Sequence, residues 1–382
     1  MVWPGRSLLT CMYGTALAVL MASCSTGGAA DATGPAAELR DCPPAPAPPE
    51  RSAAPGRGIP GMATSVTPVD TSTSTVLTGL TGAQIQCGRR EVSSHLDVVH
   101  STPELPDGST VPLRMDVLVP AGDGAWPLIV YMTGGGFQFA EKTNGLNVRT
   151  YLAETGYVVA SIEYRTLRDG AVVRDAVADV KSAVRFLRAH AGEYRIDPER
   201  VALWGESAGG YLAAMAGTTN GVAEFEVGDN LDRSSAVQAV VDKFGASDLT
   251  GLAADFDPAA QQVHAAPGNF VARFVTGRSD ATIADDPQSF AAANPLTYID
   301  PTDPPFLTLH GSADNVVSAS QTLLLHDALR AAGVDSTRYV LDGAGHGDLA
   351  FLLGDPAAAL PWSTQEVLDR ITGFLDSRLG VS

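Results

Sequence analysis

Residues 200–215 read RVALWGESAGGYLAAM, and this stretch decides the fold. Its first part, 200–204, predicts a short buried strand, and the alanine-rich run 211–215 predicts a closely packed helix. Between them lies Gly-x-Ser-x-Gly with Ser207 at its centre. A serine on a tight strand-to-helix turn exposes its hydroxyl at the end of the strand. Ser207 is therefore the candidate nucleophile, and a serine that only caps the helix is the alternative.

Strand and helix patterns alternate on both sides of this turn. The predicted strands are 126–133, 157–164, 237–245, 304–311 and 337–343, and the predicted helices are 149–156, 173–194, 320–333 and 364–379. Such alternation predicts an α/β fold with a mostly parallel central sheet and helices on both faces. Two antiparallel strands, 93–101 and 111–120, precede it. Residues 250–293 fit neither pattern and predict a short cap insertion over the carboxyl edge of the sheet, where open α/β sheets bind ligands.

The first 23 residues predict a signal peptide of the lipoprotein type. Arg6 supplies a positive charge, an apolar core follows, and the segment ends in LMASC at 20–24. That ending resembles a bacterial lipobox, in which the cysteine after the cleavage point carries lipid, so Cys24 is the predicted lipidation site. An ordinary secretory signal is the alternative. We expect an exported protein that is lipid-anchored on the outer face of the cell membrane or secreted.

Composition separates a linker from a single domain. Residues 24–80 are rich in Pro, Ala and Gly and predict an extended spacer, and residues 81–382 predict the α/β domain. Cys42 and Cys87 remain after Cys11 and Cys24 are assigned to the signal and the anchor. We expect these two to form a disulfide in an oxidising compartment, with two free thiols as the alternative.

The charge balance limits the partners. The chain has 43 acidic and 25 basic residues and a net charge of -18, which disfavours nucleic acid and anionic membrane surfaces. We expect contact with a membrane only through the lipid anchor. The composition gives no indication of the oligomeric state.

A serine nucleophile needs a base, and three histidines follow Ser207. His326 lies in a predicted helix, and His310 ends a strand, where a histidine more often braces a loop. His346 lies in the glycine-rich loop DGAGHGDL after a strand, where an imidazole can reach a cleft. We therefore predict His346 as the general base, because a serine hydroxyl is a poor nucleophile until an adjacent base takes its proton.

An acid should orient that histidine. Asp314 follows a predicted buried strand and precedes the last helix–strand pair, so we predict that it accepts the ring proton of His346. Asp248, which also follows a strand, is the main competitor, and an aspartate that only caps a loop is the simpler alternative for Asp314. The other candidates considered are Asp303, Asp327 and Asp348.

A glycine loop supplies candidate donors for an oxyanion. TGGGF at 133–137 follows a strand, and its amides can point inward because no side chains crowd them. We predict an oxyanion hole made by two amides of this loop, Gly134 and Gly135 with Gly136 as the alternative, and by the amide of Ala208. No cysteine–histidine cluster suggests a metal, and we expect neither a metal nor a cofactor.

These motifs, in this order, resemble the α/β-hydrolase esterases. The similarity covers 111–375 and is strongest to the bacterial acetyl-esterase and feruloyl-esterase group related to hormone-sensitive lipases. It implies a serine esterase in which Ser207, Asp314 and His346 form the catalytic triad, acting on small-molecule or carbohydrate esters. A peptidase on the same fold and a non-catalytic surface binding module are the alternatives. One departure is Thr133, because the family usually has histidine at this position to brace the glycine loop.

Overall fold

The computed structural model describes residues 38–44, 61–349 and 360–380. The predicted signal peptide and Cys24 lie outside these residues, as does 45–60 of the predicted linker. Within the described ranges, no helix has both the length and the apolar character that crossing a bilayer requires.

A nine-stranded sheet organises the described residues. Its order is β2-β11-β10-β9-β8-β6-β7-β5-β4, and a separate two-stranded pair joins β1 to β3. The strands are β1 (Arg40–Asp41), β2 (Thr75–Leu77), β3 (Gln86–Cys87), β4 (Val92–Ser101), β5 (Leu113–Pro120), β6 (Trp126–Met132), β7 (Val158–Ile162), β8 (Ile196–Glu206), β9 (Ala239–Lys243), β10 (Phe306–Gly311) and β11 (Ser336–Leu341). Pairing is parallel from β7 through β6 to β2, and antiparallel where β5 joins β7 and β4.

Helices cover the sheet. The bounds are α1 (Leu146–Thr155), α2 (Val173–Ala189), α3 (Ala208–Thr218), α4 (Pro258–Ala265), α5 (Phe270–Thr276), α6 (Pro287–Ala292), α7 (Ser320–Ala331) and α8 (Gln365–Leu379). The apolar side of α2, namely Ala176, Val180, Val184 and Leu187, is buried. Two apolar clusters result, one on each face of the sheet. The predicted α/β class with a mostly parallel sheet is confirmed.

The strand before the serine turn is longer than the sequence predicts. β8 begins at Ile196 rather than at residue 200, and it continues through Asp197–Arg200 into the predicted strand. Ile196 is buried, the polar segment 197–200 lies at the edge of the core, and Val201–Gly205 is fully buried. Periodicity misses this start because residues 197–200 are partly or fully exposed and fall at an irregularity in the pairing of β8 with β6, so they give no apolar pattern.

The predicted linker contributes to the domain. β2, at residues 75–77, pairs in parallel with β11 and forms one edge of the large sheet, with Leu77 buried. Ala63 is buried against Phe256 of the insertion. The domain boundary at residue 81 is therefore too late, because three paired residues are too few to produce an alternating pattern in the sequence.

A disulfide links the start of the described chain to the domain. Cys42 and Cys87 are joined in the structure, next to the pairing of β1 with β3. Cys87 is buried among the side chains that cover one face of the sheet. The link closes a chain segment with a sequence separation of 45 residues.

The insertion at 250–293 folds as three short helices, α4 to α6, beside the glycine loop. Phe274 of α5 stacks on Phe137 with ring centroids 4.3 Å apart, and Tyr211 of α3 donates to the carbonyl of Ala293. The insertion thus packs at the carboxyl ends of β6 and β8, as we expected from its place in the sequence.

Candidate active site

Ser207 lies on a strained turn between β8 and α3. Its φ and ψ are 54° and -119°, which a residue with a side chain rarely adopts. The turn is possible because its flanks are glycines: a Cβ on Gly205 would lie 1.9 Å from the carbonyl oxygen of Gly209, and one on Gly209 would lie 2.2 Å from that of Met132. The spacing of the motif therefore has a steric cause, and the hydroxyl stands at the carboxyl end of the sheet.

Three side chains that are distant in the sequence meet there. Nε2 of His346 is 2.8 Å from Oγ of Ser207, and Nδ1 of His346 is 2.7 Å from Oδ2 of Asp314. A carboxylate only accepts hydrogen bonds, so Nδ1 carries the ring proton and Nε2 is left to accept from the serine hydroxyl. The arrangement can therefore take a proton from Ser207.

The loops that carry the acid and the histidine are bonded to each other. The amide of Ala313 donates to the carbonyl of Ala344, and a Cβ on Gly311 would lie 2.2 Å from that same oxygen. The ring of Phe244 packs on His346 with centroids 4.7 Å apart. Together these contacts fix the distance between Asp314 and His346.

Asp314 is completely buried, and every one of its contacts stabilises the ionised form. Oδ1 accepts from the amides of Val316 and Val317, and Oδ2 accepts from His346 and also lies 3.2 Å from Nε2 of His310. Burial on its own would raise the pKa of Asp314, but the two histidines outweigh it and hold that pKa well below its usual range.

The competing candidates lie in other environments. Asp248 accepts from the backbone and hydroxyl of Thr250 and from Asn294, which makes it a capping group for the insertion. His326 is buried and bonds Ser336 and the carbonyl of Thr73. The remaining aspartates make local contacts: Asp303 with the amide of Asp300, Asp327 with Thr73, and Asp348 with Ser363.

The predicted oxyanion donors lie beside the serine. A Cβ on Gly134 would lie 3.0 Å from Cβ of Ser207, so the backbone of the glycine loop runs directly past the nucleophile. Ala208 is the first residue of α3, where amides have no partner within the helix. Within the described ranges, the amides of Gly134, Gly135 and Ala208 donate to no other protein group. These amides are therefore available to a ligand oxygen.

The glycine loop is braced differently from what the family pattern implies. Oγ1 of Thr133 is buried and has no hydrogen-bond partner among the described residues. The loop is held instead through the backbone, because the hydroxyl of Tyr164 donates to the carbonyl of Thr133 across 2.8 Å. The tyrosine after β7 thus provides an anchor that the threonine side chain does not.

Lys243 and Glu206, the residue before Ser207, form a partly buried ion pair. Lys243, at the end of β9, is 3% exposed and donates to Glu206, and its carbonyl accepts from the amide of Ser207. Asp348, two residues after His346, lies in the same region, and burial raises its pKa to about 6 although Lys243 opposes that shift. The backbone bond from Ser207 to Lys243 connects this ion pair to the turn that carries the nucleophile.

Sequence reasoning missed two of these contacts. The spacing of His310 and Asp314, four residues apart across a strand end, could have suggested that they meet. Lys243 gave a weaker signal: it is one of only three lysines and stands inside an apolar strand. A buried lysine needs a carboxylate partner, and Glu206 was a candidate. Across the described ranges, no group of three or more His, Cys, Asp or Glu side chains is arranged as metal ligands would be.

The sheet order, the crossover helices and the serine turn together define an α/β-hydrolase fold. Residues 115–329 match the family model named BD-FAE. This match covers more than half of the chain, and the chain belongs to that family. The resemblance to the esterase group is thereby confirmed.

Two kinds of relatives agree with this assignment. Esterase LipC of Mycobacterium tuberculosis is 31% identical over 223 residues, which are 58% of this chain and 53% of that protein. Isoprenylcysteine alpha-carbonyl methylesterase ICME of Arabidopsis thaliana is 27% identical over 271 residues, 69% of this chain and 59% of that protein. The chain thus spans about half the length of the curated relatives that it matches.

Solved structures are similar over more of their length. A truncated carbohydrate esterase from gut microbiota is 25% identical with a TM-score of 0.64, and the match covers 78% of this chain and 99% of that one. Esterase 2 of Thermogutta terrifontis, phosphorylated by paraoxon, is 26% identical with a TM-score of 0.55, covering 75% and 94%.

Proposed function

We propose that this protein is a serine esterase that hydrolyses carboxylic esters through an acyl-enzyme. The observation that carries the proposal is the hydrogen-bonded series Ser207–His346–Asp314, with contacts of 2.8 and 2.7 Å. The family assignment supports the same class of chemistry, because the named relatives are esterases. Nucleophile and base within hydrogen-bond reach, with the base oriented by a third group, is what nucleophilic catalysis requires.

In the first half of the proposed reaction, Ser207 Oγ attacks the ester carbonyl while Nε2 of His346 takes its proton. Negative charge develops on the carbonyl oxygen, and the amides of Gly134, Gly135 and Ala208 donate to it. Asp314 stabilises the imidazolium that forms. His346 then gives the proton to the departing alcohol, and the acyl group stays on Ser207.

The second half repeats these steps with water. His346 takes a proton from a water molecule, whose oxygen attacks the acyl carbon. The tetrahedral intermediate collapses, the acid leaves, and the proton returns to Ser207 through His346. The proposed reaction requires no group beyond these side chains, the amides and water.

We propose short acyl esters, including esters linked to sugars, as the substrate class. This rests on the relatives, since one similar structure is described as a carbohydrate esterase. The structure adds one argument: the rings of Phe137 and Tyr211 pack against Phe274 of the insertion helix α5 beside the glycine loop, and we propose that this aromatic cluster limits the length of the acyl chain.

Hydrolysis of p-nitrophenyl acetate tests the proposal directly. We expect turnover by the wild type and a loss of at least about 10³-fold in kcat for Ser207→Ala, as for other serine hydrolases that lose a triad member. Ser101→Ala is the matched control, because Ser101, at the end of β4, donates a hydrogen bond to Asp229 and has no contact with the triad. Equal rates for wild type and Ser207→Ala would rule out the esterase. Acetyl, butyryl, octanoyl and feruloyl esters then define the acyl preference.

Paraoxon provides an independent test of the nucleophile. Mass spectrometry of protein treated with paraoxon should find one diethylphosphoryl group on the peptide that contains Ser207, because an activated serine displaces nitrophenolate from phosphorus. His346→Ala should slow this labelling strongly, since Ser207 then has no base. Modification of another residue at the same rate would contradict the assignment.

We also propose export and lipid attachment at Cys24, which lies outside the described residues. The lipobox-like ending of the signal supports this proposal. After expression in a bacterium that processes lipoproteins, detergent should be needed to extract the wild type, whereas Cys24→Ser should be released without it. A soluble wild-type protein cleaved near residue 24 would support the secretory alternative.

A further inference from the structure

His310 reaches the same carboxylate oxygen as His346, from the opposite side of Asp314. It is fully buried at the end of β10, and its Nε2 lies 3.2 Å from Oδ2 of Asp314 and 3.1 Å from the carbonyl of Val317. Both neighbours only accept hydrogen bonds, so Nε2 carries the proton. The N–H at Nε2 is hydrogen-bonded to the carbonyl of Val317, and Oδ2 of Asp314 lies within 3.2 Å of the same nitrogen, so His310 presents a donor both to the acid and to its loop.

The other ring nitrogen is held by a second layer of contacts. Nδ1 of His310 is 3.0 Å from Oγ1 of Thr322, and that oxygen accepts from Nε of Arg338 across 3.1 Å. The hydroxyl hydrogen of Thr322 is then directed to Nδ1. Arg338 is itself fixed by hydrogen bonds to Ser74 and to the carbonyl of Ala319. These bonds set both the tautomer and the ring plane of His310.

We propose that His310 is a positioning residue for the acid of the triad. In this arrangement Oδ2 of Asp314 is bonded to Nδ1 of His346 and lies 3.2 Å from the protonated Nε2 of His310, and Oδ1 is fixed by the two backbone amides. His310 limits rotation of the carboxylate and spreads its charge, which keeps Oδ2 aimed at Nδ1 of His346. This inference rests on the proposed function, since it concerns how that reaction is tuned.

A packing role is the alternative, and the chain contains a matched control for it. His326 on α7 is also buried and also bonded at both ring nitrogens, to Ser336 and to the carbonyl of Thr73. It makes no contact with Asp314. Loss of His326 therefore reproduces the loss of a buried, hydrogen-bonded imidazole without affecting the acid.

The experiment compares His310→Leu and His310→Gln with His326→Leu and His326→Gln, with kcat and KM for p-nitrophenyl acetate measured from pH 5 to pH 10. Leucine removes the donor, and glutamine keeps an amide that can reach Asp314. We expect His310→Leu to lower kcat by about 10-fold with little change in KM, because it removes the donor that faces the ionised Asp314 together with its bond to the Val317 carbonyl. His310→Gln should recover part of that loss.

The pH profile separates positioning from packing. With one donor fewer, the Asp314 carboxylate should stabilise the imidazolium of His346 more strongly, so the acidic limb of kcat/KM should move to higher pH. The charged and titratable groups around this arrangement are His346 and Arg338, with Asp70, Asp255 and Asp327 near Arg338. The His326 variants should keep the wild-type limb.

Three outcomes decide the matter. A displaced limb and a lower kcat in the His310 variants alone support the proposal. Equal losses of kcat in the His310 and His326 variants, in proportion to their loss of thermal stability and without a shift of the acidic limb of kcat/KM, overturn it. A wild-type kcat in His310→Leu also overturns it. If His310→Leu does not fold, His310→Gln and Thr322→Val, which frees Nδ1 but keeps the imidazole, decide by the same criteria.

Failure of the proposed function gives a different result. In that case the wild type hydrolyses esters no faster than Ser207→Ala. The positioning contact is still measurable by NMR, through the downfield proton of His346 Nδ1 that is bonded to Asp314. That resonance should shift in His310→Gln and stay in place in His326→Gln, and an unchanged resonance in both would overturn the contact itself.

Discussion

Lys243 donates a hydrogen bond from Nζ to Oε1 of Glu206 across 2.7 Å and so ties the end of β9 to the residue before Ser207. The lysine side chain is 4% exposed and the glutamate side chain 24%. We expect Lys243→Met to lower the free energy of unfolding by about 3 kcal/mol, because the partly buried carboxylate of Glu206 loses its partner. Urea unfolding at pH 7 measures this.

The double variant Lys243→Met with Glu206→Gln tests the cause. It should recover most of the lost stability, because no unpaired charge is left behind. Arg233→Met is the control, since Arg233 and Asp232 form an exposed pair that should contribute little. A double variant that is as unstable as Lys243→Met would show that Lys243 acts through its packing.

Two substitutions at the glycine loop should have opposite effects. Thr133→Val removes a buried hydroxyl that has no partner in the described part of the chain, so we expect unchanged or higher stability. Tyr164→Phe removes the donor to the carbonyl of Thr133 and should cost about 1–3 kcal/mol. Thermal unfolding and kcat for p-nitrophenyl acetate check both. A larger loss of kcat for Thr133→Val than for Tyr164→Phe would assign the bracing to the threonine instead.

The sequence predicts the elements of this fold better than their edges. The continuous apolar run 126–133 forms β6 as predicted, and the amphipathic period that begins at Val173 forms α2, although the helix ends at Ala189 and not at the predicted residue 194. β2 escapes prediction because its partner β11 is more than 250 residues away and only three residues pair. The polar start of β8 is also not predicted, because residues 197–200 contain no apolar pattern.

The candidate site shows the same limit. Ser207, Asp314 and His346 are predictable because each follows a strand at the same edge of a parallel sheet, in the order that the architecture uses. His310 and Lys243 are harder to predict, because their contacts depend on which strands are neighbours. β9 lies beside β8 in the sheet, and that adjacency brings Lys243 to Glu206.

The disulfide should stabilise the protein without affecting catalysis. Cys42→Ala with Cys87→Ala opens a loop with a sequence separation of 45 residues, and we expect the free energy of unfolding to fall by about 2–4 kcal/mol. The disulfide lies at the separate β1–β3 pair and not in the large sheet that carries Ser207, so kcat should stay within about two-fold, a difference under 1 kcal/mol. Denaturation of the wild type with and without a reductant should give the same difference. Reduction without any loss of stability would contradict the prediction.

Asp242 should make stability fall as the pH rises. Its side chain is fully buried in β9, with Oδ1 accepting from the amide of Gly245 and Oδ2 without a partner among the described residues. Burial raises its pKa to about 7, from an ordinary value of 3.8. A raised folded-state pKa means that the protonated form of Asp242 stabilises the fold. This contribution is complete below about pH 4 and is lost as the pH rises through about 7.

Asp242→Asn mimics the protonated form, so the stability advantage of this variant over the wild type should grow between pH 5 and pH 8, to roughly 2–4 kcal/mol. Urea unfolding across that range measures it, with Asp123→Asn in an exposed turn as the control. Parallel curves for wild type and Asp242→Asn would show that the carboxylate stays ionised and finds a partner.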